Sequence, residues 1–105
     1  MLKSNYKADS GWNDKTELMA LLIFKKLVKL GFPHGEQMRL CVEMATVTDL
    51  EKGSISAKVS NYKSVAGLNN DSNASRATKQ MFAEFGRLPV EVIKSQIEFL
   101  SKGNK

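Results

Sequence analysis

Gly53-Ser54-Ile55-Ser56-Ala57-Lys58-Val59-Ser60-Asn61-Tyr62-Lys63-Ser64-Val65-Ala66-Gly67 is the stretch on which the reading of this chain turns. Taken as a helix, it places Ile55, Val59, Tyr62 and Ala66 at i, i+4, i+7 and i+11, a single apolar stripe. Ser56, Lys58, Ser60, Asn61, Lys63 and Ser64 fall on the other faces, and no acid occurs between Glu51 and Asp71. Lysines and hydroxyls hold phosphate oxygens and an asparagine amide can bond a base edge. An acid-free helix of this kind therefore tolerates a phosphate-lined groove. The same pattern also describes an ordinary amphipathic helix with a solvated polar face.

Working towards the N-terminus, Thr48-Asp49-Leu50-Glu51-Lys52-Gly53 reads as a connection, with Ser54 placed to cap the helix after it. Before that connection a helix is expected from about Glu36 to Thr46, with Met38, Cys41, Val42 and Ala45 facing inward and Met38 and Met44 filling gaps in the core. Helix, short connection with glycine, then a helix with a polar basic face is the layout of a helix-turn-helix. Phe32-Pro33-His34-Gly35 is a loop. Gly31 and Pro33 there end a first helix running from Lys15 to about Leu30, with Leu18, Leu22 and Ile23 in the core. Asp14 and Glu17 have the spacing of a capping box at its start, and Trp12 is expected as a lid packed against it. Residues 1–11 read as a flexible basic arm carrying Lys3 and Lys7.

Towards the C-terminus, residues 67–75 form a polar turn rich in asparagine and serine. A fourth helix is expected from Ser75 or Arg76 to Phe85, with Thr78, Met81, Phe82 and Phe85 inside and Arg76 and Lys79 outside. Gly86 ends it, and Pro89 opens a fifth helix with Val90, Ile93, Ile97 and Leu100 on one stripe. Val92 and Phe99 lie off that stripe, which predicts a wider buried face or a contact with a protein partner or a second copy. Residues 102–105 are a frayed basic tail. The expectation is an all-α chain of about five helices, one domain over 12–101, built around a helix-turn-helix-like core. A short β wing could form around Thr46 to Ile55 or Leu68 to Ala74.

Composition bounds the function. An apolar content of 42% and a charged content of 26% are those of an ordinary globular domain. The formal charge of +5 is uneven: residues 1–52 carry eight Lys/Arg against seven Asp/Glu, whereas 53–105 carry eight against four. The excess favours a polyanionic partner and sits in the half holding the acid-free helix. Cys41 stands alone, so no internal disulfide can form, as in a reducing cytoplasm. No signal-peptide pattern opens the chain, and its longest apolar run, Leu18 to Phe24, is too short to span a membrane.

Catalytic patterns are missing. There is no glycine-rich phosphate loop and no cysteine pair for zinc. His34 is the single histidine, so neither a two-histidine metal site nor a readable triad is available, and no cofactor is expected. Glu91 and Lys94 read as a surface ion pair.

The order Trp12, Glu17-Leu18-Met19-Ala20-Leu21, Ser54 to Tyr62, Asn73-Ala74-Ser75 and Phe82-Ala83-Glu84-Phe85 resembles a small helical region found N-terminal to the catalytic part of HNH-type endonucleases and related restriction proteins. In those proteins a helix ending in a Lys-Leu-x-Asn-Phe-like run precedes a Gly/Asn/Ser turn and a helix containing Trp or Phe. The likeness covers roughly residues 12–86. It implies a DNA-contacting or target-sensing module of helix-turn-helix type, carried by Ser54, Ser56, Lys58, Asn61 and Tyr62. The HNH catalytic centre itself has no counterpart in the chain, so a nuclease is expected only as a separate partner. Together with the residues, the resemblance sets the expected DNA contacts at Ser54, Ser56, Lys58, Ser60, Asn61, Lys63, Arg76 and Lys79, with Tyr62 packing inward. The alternative is a protein-interaction module, such as an accessory or inhibitor of a nucleic-acid enzyme.

Overall fold

The computed structural model describes residues 10–68 and 74–102. The expected arm at 1–9, most of the polar turn and the end of the tail lie outside them. Five helices follow in order: α1 (Asp14–Leu30), α2 (Glu36–Ala45), α3 (Lys52–Val65), α4 (Arg76–Phe85) and α5 (Val90–Lys102). α1 is the hub: α2, α3, α4 and α5 all pack on it, while α3 lies between α2 and α4. The chain is all-α, and no strand occurs among the described residues.

The start of α1 is a capping box one residue earlier than the sequence pattern implied. Asn13 Oδ1 accepts from the Thr16 backbone N–H at 2.9 Å, and Thr16 Oγ1 accepts from the Asn13 N–H at 2.8 Å. Glu17, expected to close that box, instead points into the core and is fully buried. The helix ends as expected on Gly31 in the left-handed region at φ 82°, and the Phe32 N–H reaches back to the Leu27 carbonyl at 2.9 Å.

α2 is rotated relative to the expected stripe. Leu40, Cys41 and Met44 face inward, whereas Met38 and Val42 stand exposed. Apolar side chains occur on most faces of this short helix, so its phase is set by its neighbours rather than by its own period. No wing forms at 46–55. Thr48 takes up the backbone there, donating to the Met44 carbonyl at 3.0 Å and accepting from the Leu50 N–H at 3.2 Å.

α3 buries Ile55, Val59 and Tyr62 completely, with Ala66 at the edge. Each such aliphatic side chain contributes about 1.5–3 kcal/mol through removal from water. Ser54 is not its cap. The helix begins at Lys52 after Glu51, whose side chain makes no capping bond, and Ser54 falls exposed in the first turn. α4 is capped by Ser75, whose Oγ accepts from the Thr78 N–H at 3.1 Å. α5 buries Ile93 fully and half-buries Ile97 and Leu100.

One core joins all five helices. Leu18, Leu21, Ile23, Phe24 and Leu27 of α1 meet Leu40, Cys41 and Met44 of α2, Ile55, Val59 and Tyr62 of α3, Met81 of α4 and Ile93 of α5. Leu22 lies at the core's edge rather than within it. Phe24 centres the aromatic packing, with ring centroids 6.3 Å from Phe32, 6.3 Å from Tyr62 and 6.2 Å from Phe82. No helix among the described residues is long and apolar enough to cross a membrane.

Candidate nucleic-acid interface

The eight residues expected to meet DNA do not share one surface. Packing of α3 against its neighbours divides them into three groups.

Lys58 belongs to the interior. Its side chain is only 12% exposed, and Nζ lies 3.2 Å from Oε1 of the fully buried Glu17. The same ammonium donates to Thr78 Oγ1 at 3.0 Å and sits 4.5 Å from the centre of the Trp12 ring, a cation–π contact. The other oxygen of Glu17 accepts from Tyr62 Oη at 2.7 Å and from Thr78 Oγ1 at 2.8 Å. Among the described residues Oε1 makes no hydrogen bond, and the charge of Lys58 compensates it. Trp12 thus closes the network as well as packing against the core. A buried carboxylate must be paired or hydrogen-bonded to remain charged, and α3 supplies both kinds of partner. The phosphate contact expected of Lys58 gives way to this internal pairing.

A second group faces α2. Gln37 Nε2 donates to Ser56 Oγ at 3.0 Å and to the Ser56 carbonyl at 3.2 Å, with Ser60 Oγ at 3.4 Å. Its Oε1 accepts from Lys63 Nζ at 3.3 Å, and that ammonium lies 4.9 Å from the Phe32 ring centre. Phe32 itself holds a left-handed backbone at φ 54°, unusual for a bulky residue, in the turn that follows Gly31. Ser56, Ser60 and Lys63 are half-buried in this helix–helix seam.

The third group remains outward. Ser54 is exposed and Asn61 half-buried on α3, while Arg76 and Lys79 are exposed on the first turn of α4. That turn also carries Thr78, which touches Lys58 of α3, so the two helices meet beside these residues. Lys52 is exposed at the start of α3. No carboxylate lies on α3 between Lys52 and Val65.

Charge elsewhere is mixed. Arg39 on α2 holds Glu36 and, at 2.6 Å, Glu43. Its guanidinium keeps the Glu36 carboxyl below the usual carboxylate range, mainly through the hydrogen bond between them. Among the described residues no group of three His, Cys, Asp or Glu side chains converges as a metal site would.

Sequence reasoning missed Glu17, Thr78 and Gln37 as polar organisers of the fold. The signal for Glu17 was its spacing: it lies four residues before Leu21 and seven before Phe24, on the buried stripe of α1. Gln37 left no such trace. Comparison with protein-family models, with curated proteins and with solved structures finds no match to the chain.

Proposed function

We propose that the chain is a non-catalytic DNA-binding module whose contact face is formed by the outward side of α3 and the opening turn of α4. The observation that carries this reading is the acid-free helix α3 beside exposed Arg76 and Lys79. In this reading α2 and α3 act as a helix-turn-helix-like pair, with Arg76, Lys79 and Lys52 on phosphates and Asn61 on a base edge. Burial keeps the carboxylate of Glu17, which Tyr62 and Lys58 of α3 hold, off that face. The resemblance to the region preceding HNH catalytic domains points the same way. The compartment of this reading is the cytoplasm, where an unpaired thiol such as Cys41 stays reduced.

The test is a fluorescence-anisotropy titration with a random duplex at two salt concentrations. Two to three phosphate contacts give a slope of log K against log salt of about −2 to −3. Absence of binding at low salt removes the reading. The second reading is a protein-interaction module, whose apolar helical interface would hold a protein partner without the salt dependence of counterion release. Exposure of Val92 and Phe99 on α5 is what favours that second reading.

A further inference from the structure

α5 carries an uncovered apolar pair on the side away from the core. Val92 is 44% exposed and Phe99 59% exposed, while Ile93 between them is fully buried. Seven residues make nearly two helical turns, so Val92 and Phe99 project in almost the same direction. Ser95 and Gln96 lie to either side of the line between them.

Beside that strip runs a flank of Glu91, Ser95, Glu98 and Lys102, all exposed. Its spacing of four, three and four residues reads the same in both directions. Neither Glu91 nor Lys102 forms an ion pair with any described residue.

We propose that α5 is the contact of a two-fold symmetric homodimer in which two copies of the helix pack antiparallel, Phe99 of each against Val92 of the other. A two-fold contact must be self-complementary, and both the apolar and the charged pattern meet that requirement. Antiparallel overlay of the flank sets Glu91 opposite the partner's Lys102 and Ser95 opposite the partner's Glu98. The symmetry repeats both pairs. No like charges stand directly opposite, and each Ser95 hydroxyl can donate to a carboxylate. Gln96 lies on the other flank near the axis, where an amide can both donate and accept across it. The apolar strip supplies attraction, and the charge order favours antiparallel pairing, since only that arrangement brings this flank against its own copy and so forms the Glu91–Lys102 pairs.

One pair of 13-residue helices buries less than a standard interface of about 1,600 Å². The dimer is therefore weak, with a dissociation constant on the order of 0.1 mM. It requires no nucleic acid, so its fate is separate from that of the DNA reading.

The experiment is sedimentation equilibrium on the full chain, without DNA and at low ionic strength, from about 10 μM to about 1 mM, bracketing that constant. The parent is expected to shift from monomer to dimer across this range. Glu91→Lys alone and Lys102→Glu alone should each weaken association about tenfold, because two exposed pairs become repulsive at once. Combining the two reversals should restore it. Phe99→Ser should abolish dimerisation while circular dichroism shows the helices intact. A parent that stays monomeric at the top concentration overturns the proposal. So does a single reversal without effect, or a double reversal that fails to rescue.

Discussion

Lys58 Nζ and Glu17 Oε1 lie 3.2 Å apart across the α1–α3 contact, joining a fully buried carboxylate to a lysine of the acid-free helix whose side chain is only 12% exposed. Two donors on the other carboxylate oxygen, Tyr62 Oη and Thr78 Oγ1, bring α3 and α4 to the same point on α1. One acidic side chain thereby fixes the mutual placement of three helices. The hydrophobic contacts alone are non-directional, whereas this network demands one register.

Removing either member should destabilise the fold rather than merely reduce surface charge. Lys58→Ala leaves a buried carboxylate without its counter-charge, and Glu17→Ala leaves the enclosed Lys58 ammonium without its carboxylate and removes the acceptor shared by Tyr62 Oη and Thr78 Oγ1. Each is expected to cost about 3–5 kcal/mol. The paired replacement Glu17→Leu with Lys58→Met should cost much less than the sum, because apolar groups of similar shape need no partner. Urea unfolding of the four proteins completes the cycle. A loss below about 0.5 kcal/mol in Lys58→Ala, the range of an ordinary surface change, would show that the pair is solvent-screened.

The architecture was legible where the period was clean. The stripe of Ile55, Val59 and Tyr62 is fully buried, and the ends of α1 at Gly31 and of α4 at Gly86, with the start of α5 just after Pro89, fall where local chemistry sets them. The phase of α2 was not legible, since Met38, Val42, Leu40 and Met44 offer competing apolar faces and only neighbouring helices choose among them. The candidate site was less legible still. Lysine count on α3 predicted a basic face, but Lys58 is claimed by Glu17, forty-one positions earlier, and Lys63 by Gln37. Pairings over such separations leave no local period to read. What survives on the outside is Ser54, Asn61, Arg76 and Lys79.

Those survivors divide by chemistry, and their variants should divide likewise. Arg76→Ala and Lys79→Ala should each weaken binding to every duplex and lower the salt slope by about one unit. Asn61→Ala should leave the slope unchanged and cost about 1–3 kcal/mol only on a preferred sequence. Anisotropy on random and selected duplexes separates the two behaviours. If Arg76→Ala and Lys79→Ala bind as the parent does and remain folded, the α3–α4 face does not contact phosphate.

Two glycines should respond to alanine with opposite signs. At Gly86 an added Cβ would stand 2.5 Å from the Phe82 carbonyl oxygen and 2.9 Å from its ring. The Gly86 carbonyl also accepts from Lys25 Nζ at 2.7 Å, so the segment cannot shift without breaking a tertiary bond. Gly86→Ala is expected to cost about 1–3 kcal/mol, as overpacking does. At Gly53, in the first turn of α3, nothing lies within 4 Å of the built Cβ and φ is not positive. Gly53→Ala should instead stabilise by about 0.4–1 kcal/mol through the unfolded chain's lost freedom. Thermal melts of both proteins test the contrast; a destabilised Gly53→Ala would mean that the start of α3 is strained.

Cys41 gives a pH-dependent readout of the core. Its side chain is fully buried between α2 and its neighbours, and burial raises the thiol above its ordinary value of 9.0, with a hydrogen bond to Ser56 opposing part of that rise. A raised value means that the folded state keeps this proton where the unfolded chain would release it. The resulting stabilisation is fully present below about pH 9 and fades as pH rises through the folded-state value. Stability of the parent should therefore fall more steeply above pH 9 than that of Cys41→Ala, once the constant cavity cost of the substitution is subtracted. At pH 8 a thiol-specific chromogenic reagent should label the native protein only as fast as it opens, with urea accelerating labelling in step with unfolding. Immediate labelling of the folded chain would place Cys41 at the surface and contradict the packing of α2 against α3.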